Sequence, residues 1–170
     1  MAELDLDLTY DDDVQCALTE EELSEAAELV LDEEGVGRPC GVSLSIVADD
    51  RMRELNLEWR DIDRCTDVLS LECERPDDPY LAPGEQCELG DIVLAPEYIA
   101  HQAASFGTTA ADETRLLLVH GMLHLLGYDH IEDDEAELME AREDELVAML
   151  STDGDLSGIR ITRHREDEDE

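Results

Sequence analysis

The segment His120-Gly-Met-Leu-His124-Leu-Leu-Gly127-Tyr-Asp-His130 places three of the chain's five histidines within eleven residues. Imidazole is the usual protein ligand for zinc and similar divalent ions. His120 and His124 are four apart, so on a helix they project from one face and can share one ion. Gly127 can end that helix through a left-handed turn, and His130 can then close a three-nitrogen site. Three protein ligands leave one coordination position for water, which is the arrangement of a catalytic zinc. Such a site lowers the pKa of water to roughly 7, so hydrolysis is the natural reaction class.

A histidine on an apolar helix face is more often an ordinary core or surface residue than a ligand. Here Leu116, Leu117, Leu118, Val119, Leu123, Leu125 and Leu126 surround the pair, so the helix is expected to be buried. Buried imidazoles without partners are costly, and a metal ion removes that cost. The metalloprotease pattern H-E-x-x-H needs a glutamate after the first histidine. Gly121 stands there, so a peptidase with the usual mechanism is disfavoured. Asp129 is the only carboxylate inside the motif, and it could orient a histidine or act as a base.

The elements that must hold this site follow from periodicity. Leu4, Leu6 and Leu8 alternate with acids and predict a first strand. Thr19 and Glu22 form a capping-box pattern opening a helix that ends near Gly35. Val42 to Val47 predicts a second strand, and Asp49 or Asp50 is expected to cap a helix through Trp59. Asp67 to Leu71 and Leu89 to Leu94 predict two more strands around a proline-rich loop over residues 74–87. Pro96 suits the first turn of a helix to Ser105, the histidine helix runs from Thr109 to Leu126, and Asp133 or Asp134 starts a last helix to Leu150. The expected fold is one α+β domain over residues 1–150, a small mixed four-stranded sheet layered with about five helices. Residues 151–170 lack an apolar pattern, end in Glu-Asp-Glu-Asp-Glu and are expected to be a disordered acidic tail.

The 170 residues carry 11 basic and 48 acidic side chains, a net charge of −37, and every basic one is arginine. Taken alone, that repels nucleic acid and suits a basic protein partner or a salty cytoplasm. The charge is uneven: residues 1–34 hold fourteen acids and no base, whereas residues 35–70 hold seven acids and five arginines. Arg51, Arg53, Arg60 and Arg64 lie there, and a phosphate could be met by the planar fork of any of them. The competing reading is ion pairs on a helix surface with Asp50, Glu54, Glu58 and Asp61. The five cysteines are odd in number and form no C-x-x-C pair, so reduced thiols are expected. No apolar run reaches membrane-span length and the first residues do not form a secretory signal, so a cytoplasmic location is expected.

His120 to His130 resembles the H-G-x-L-H-L-x-G-Y-D-H signature of the YbeY family, bacterial endoribonucleases of rRNA maturation. Asn56-Leu-Glu-Trp-Arg60 followed by Thr66-Asp67-Val68-Leu69-Ser70 resembles the family's second motif, and Leu89-Gly90-Asp91-Ile92 its third. Cys65 and Leu71 depart from a usual proline and phenylalanine, both as packing differences. The resemblance implies a zinc-dependent endoribonuclease specific for single strands, with one zinc per chain. It implies action in maturation of the 16S rRNA 3′ end and in ribosome quality control. It makes His120, His124 and His130 the metal ligands, Arg60 the functionally important arginine, and the metal helix zincin-like. The partners it implies are single-stranded rRNA, small-subunit ribosomal proteins and an assembly GTPase. A non-catalytic assembly factor, its metal merely holding the fold, is the alternative that the acidic surface favours.

Overall fold

The computed structural model describes residues 3–11, 13–128 and 133–150. The alternating leucines form β1 (Leu4–Tyr10), with Leu4, Leu6 and Leu8 half-buried against the core. Thr19 caps α1 (Glu20–Glu33). Its hydroxyl accepts the Glu22 N–H at 3.1 Å while the Glu22 carboxylate accepts the Thr19 N–H at 3.0 Å. This reciprocal pair satisfies donors that a helix start leaves over. There follow β2 (Cys40–Ile46), α2 (Asp49–Arg60), β3 (Val68–Glu72), β4 (Cys87–Leu94), α3 (Pro96–Phe106), α4 (Ala110–Leu125) and α5 (Asp133–Leu150).

Among the described residues the strands make one sheet in the order β1-β2-β4-β3. β1, β2 and β4 run parallel, and β3 pairs antiparallel with β4, so the sheet is mixed as the sequence predicts. Side chains alternate across it. Val42, Leu44, Ile46, Val68, Ile92 and Leu94 join the larger core with α1 and α4. Leu69 and Val93 face the other way and join Met52 and Leu55 of α2. The sheet is therefore layered between α2 on one face and the histidine helix on the other. Leu117, Leu118 and Leu123 of α4 are fully buried. Each such side chain contributes roughly 1.5–3 kcal/mol of burial free energy, an upper estimate because the unfolded chain is partly compact.

Several boundaries differ from the sequence reading. The N-cap of α2 is Ala48, with no side-chain capping bond, and not Asp49 or Asp50. Both aspartates stand in the first turn, where negative charge is favoured by the helix dipole. β2 and β4 begin two residues early, at Cys40 and Cys87, because these two buried cysteines pair in register and extend the parallel ladder. All five cysteines are free thiols. Burial is the first cause that pushes Cys65 and Cys87 up to about 12, so neither is a thiolate near neutrality. No helix among the described residues is long and apolar enough to cross a membrane. The tail over residues 151–170 lies outside the described residues.

Candidate metal centre

α4 is built to present its histidines. The Thr109 hydroxyl accepts the Asp112 N–H at 3.1 Å and starts the helix. The end is a Schellman turn: Gly127 N–H donates to the His124 carbonyl and Tyr128 N–H to the Leu123 carbonyl, both at 3.0 Å. Gly127 adopts φ 110°, a conformation that L side chains rarely take. The glycine thus turns the chain just after His124, and the carbonyl of His124 is itself tied into the turn.

His120 and His124 come together as the four-residue spacing requires. Their ring centroids are 4.8 Å apart and the rings stand edge to face at 86°. His120 is 5% exposed and His124 half-buried, so the pair lies at the rim of the core with one ring inside it. Two imidazoles so placed can share one divalent ion. Asp129 and His130 lie outside the described residues, and among the described residues no three His, Cys, Asp or Glu side chains cluster to hold a metal. The two convergent imidazoles fit zinc and suit a third nitrogen better than a thiolate set.

A carboxylate absent from the sequence reading completes the inner side. His120 Nδ1 lies 2.5 Å from Glu143 Oε1, and both side chains are buried. Glu143 belongs to the stripe Met139, Glu143, Leu146, Val147 by which α5 packs into the core. An acid on an otherwise apolar helical stripe was the available signal. Eight acids along α5 hid it.

Gly121 has a steric reason to be glycine. A Cβ placed on it would lie 3.1 Å from Ser70 Oγ of β3 and 3.2 Å from Ile92 Cδ1 of β4. α4 thus rests directly on the sheet where a protease would carry its glutamate. Gly121→Glu is expected to destabilise the fold by about 3 kcal/mol, through overpacking and a buried charge. A denaturant midpoint equal to that of wild type would contradict this packing.

The motif around Thr66 serves β3. Asp67 is fully buried; its Oδ1 accepts the Val68 N–H and its Oδ2 the Gln102 side-chain amide, both at 2.7 Å, while its carbonyl accepts the Ala95 N–H at 3.0 Å. These bonds lock the start of β3 to α3 and to the end of β4, and so set Ser70 beneath Gly121. Asn56, also buried, donates its amide to the Arg64 carbonyl at 2.9 Å and fastens the loop that leads from α2 into β3.

Of the central arginines, Arg51 pairs with Glu54 at 3.2 Å, as the ion-pair reading expects. Arg53 instead makes a two-pronged contact with Asp63 at 2.8 and 3.2 Å. Both are exposed and contribute little to stability. Arg60 is the half-buried last residue of α2. It therefore starts from the opposite face of the sheet to the histidine pair. β3 is the edge strand there, so no further strand stands between the end of α2 and α4.

A mixed sheet carrying a buried H-x-x-x-H helix over its β3–β4 side defines a small α+β domain. The sequence pattern of the family described as "Endoribonuclease YbeY" matches residues 8–151. The chain is 41% identical over 136 residues to an endoribonuclease YbeY of Mycolicibacterium vanbaalenii, covering 76% of this chain and 72% of that one. It is 48% identical over 121 residues to the Paramagnetospirillum magneticum enzyme of that name, covering 69% and 74%. The solution structure of a Thermotoga maritima protein superimposes with a TM-score of 0.59 at 26% identity, covering 85% of this chain and 88% of that one. The chain belongs to the endoribonuclease YbeY family. That membership supports an endoribonuclease role, a hydrolase acting on RNA.

Proposed function

We propose that the protein is a zinc-dependent endoribonuclease specific for single strands, acting in maturation of the 16S rRNA 3′ end and in ribosome quality control. The observation that carries this reading is the edge-to-face pair His120 and His124, 4.8 Å apart on one buried helix turn. His120 and His124 bind the ion, and His130 is the third ligand from the segment that follows the Schellman turn. Zinc bound there supplies a Lewis acid that acidifies water and polarises a phosphoryl oxygen. One ion per chain is expected.

The chain's own residues divide the remaining work. Arg60 meets the negative charge that develops on the non-bridging phosphate oxygens, a task suited to a planar, permanently charged fork. Asp129 serves beside the ligands, as a hydrogen-bond acceptor or as a base. Gly121 offers no carboxylate where a peptidase needs one, and a side chain there would press against Ser70 and Ile92. Single-stranded RNA suits a site at the edge of a sheet better than a duplex, because an unpaired backbone can bend to it. The acidic surface, −37 overall, favours basic partners such as small-subunit ribosomal proteins, with an assembly GTPase as a further partner. Cytoplasmic action follows from these partners. The experiment that tests the reading is cleavage of a single-stranded 16S 3′-end precursor before and after metal removal.

A further inference from the structure

We propose that Glu143 is a positioning residue of the metal centre, holding His120 with its proton on Nδ1 so that Nε2 is the nitrogen given to the metal. This rests on the metal-site reading above and extends it to a residue outside the histidine motif.

The geometry is specific. Glu143 Oε1 lies 2.5 Å from His120 Nδ1, the Glu143 side chain has no exposed surface and that of His120 7%. A carboxylate among Met139, Leu146 and Val147 is costly to bury, and packing alone would be served better by leucine. Its partner explains it. With metal on Nε2, the ring must carry its proton on Nδ1, and that N–H donates to the carboxylate. The contact fixes the ring's rotation, selects the tautomer and raises the basicity of the ligating nitrogen.

The neighbouring residue ties α5 to the end of α1. Arg142 donates from Nε to Glu34 Oε2 at 2.5 Å and from Nη2 to the Glu33 carbonyl at 2.7 Å. Glu34 Oε1 in turn accepts the Tyr128 hydroxyl at 2.5 Å. Two adjacent residues of α5 thus make different contacts: Glu143 touches His120, and Arg142 reaches Glu34, which also takes the Tyr128 hydroxyl. The contacts differ in kind. Arg142 ties element to element, whereas Glu143 touches a ligand.

Zinc affinity by competition with a chromophoric chelator, together with long-range ¹⁵N–¹H correlation of the His120 ring, tests this on the full chain. Glu143→Ala is expected to weaken zinc binding roughly 100-fold and Glu143→Gln about 10-fold, because the amide oxygen still accepts the Nδ1 proton but is a weaker partner. Arg142→Gln is expected to lower Tm while leaving the zinc affinity of the folded protein unchanged. The wild-type spectrum should show the proton on Nδ1. Folded Glu143→Gln with wild-type zinc affinity, or a wild-type ring protonated on Nε2, would overturn the role of Glu143 and leave the proposed function standing. Wild-type protein that takes up no zinc would overturn both.

Discussion

His124→Ala is expected to lose its zinc and, with it, RNA cleavage by on the order of 10³-fold in kcat/KM. The magnitude follows from several kcal/mol of transition-state charge stabilisation at about 1.4 kcal/mol per factor of ten. The fold should survive. His124 is half-buried near the end of α4, its contribution to the Schellman turn is made by its carbonyl, and alanine is the best helix former. What stability disappears is the part linked to metal, which grows with free zinc relative to its dissociation constant. Metal analysis, far-ultraviolet circular dichroism and cleavage of a single-stranded RNA read the three parts separately. A variant that keeps wild-type cleavage in a preparation free of other nucleases would remove His124 from the mechanism.

Arg60→Ala is expected to lose roughly 10²-fold in kcat while retaining one zinc per chain, the size of effect seen when one preorganised charge-stabilising donor is removed. The split between activity and metal distinguishes a phosphate-facing arginine from one that props the site. Structural placement makes this a demanding test. Arg60 ends α2, which packs on Leu69 and Val93, whereas the histidines sit on the helix that packs over Ser70 and Ile92. On the proposed reading, Arg60 would reach the histidine pair from around the edge of β3. Lysine in its place keeps the charge but not the fork, so Arg60→Lys should recover only part of the rate. Loss of zinc in Arg60→Ala would mean that the residue supports the metal helix instead.

The parts of the fold written in local chemistry could be read from the sequence. Thr19 with Glu22 announced α1 through a bond pattern confined to four residues. Thr109, the apolar run and Gly127 marked α4 from cap to turn, and the 3.6-residue period alone brought His120 and His124 onto one face. Long-range facts were hidden. The strand order, with β4 between β2 and β3, depends on pairings such as Cys40 with Cys87 and Ile46 with Leu94, far apart in the chain. The start of α2 escaped because two good capping residues stood one position inside the helix and Ala48 took the cap without a side-chain bond. Gly121 could be read as the absence of a protease glutamate, but not as a contact point with Ser70, because that contact joins α4 to β3, distant in the chain.

Glu143 shows the same limit at the site itself. Asp129 was the only carboxylate within the motif, so the supporting role fell to it by proximity in sequence. Asp129 lies outside the described residues, and a carboxylate that touches His120 comes from α5, 23 residues away. Its one local mark, an acid on the stripe of Met139, Leu146 and Val147, was lost among the acids on the rest of that helix. The strongly acidic composition of this chain thus conceals an acid whose position is set by contact with a histidine and not by solvation.

The most direct measurement is cleavage of a single-stranded 16S 3′-end precursor by protein stripped of metal with a chelator and then titrated with zinc. The account predicts no cleavage by the stripped protein and recovery that saturates at about one zinc per chain, the count set by one three-ligand site. Full cleavage by metal-free protein would contradict it.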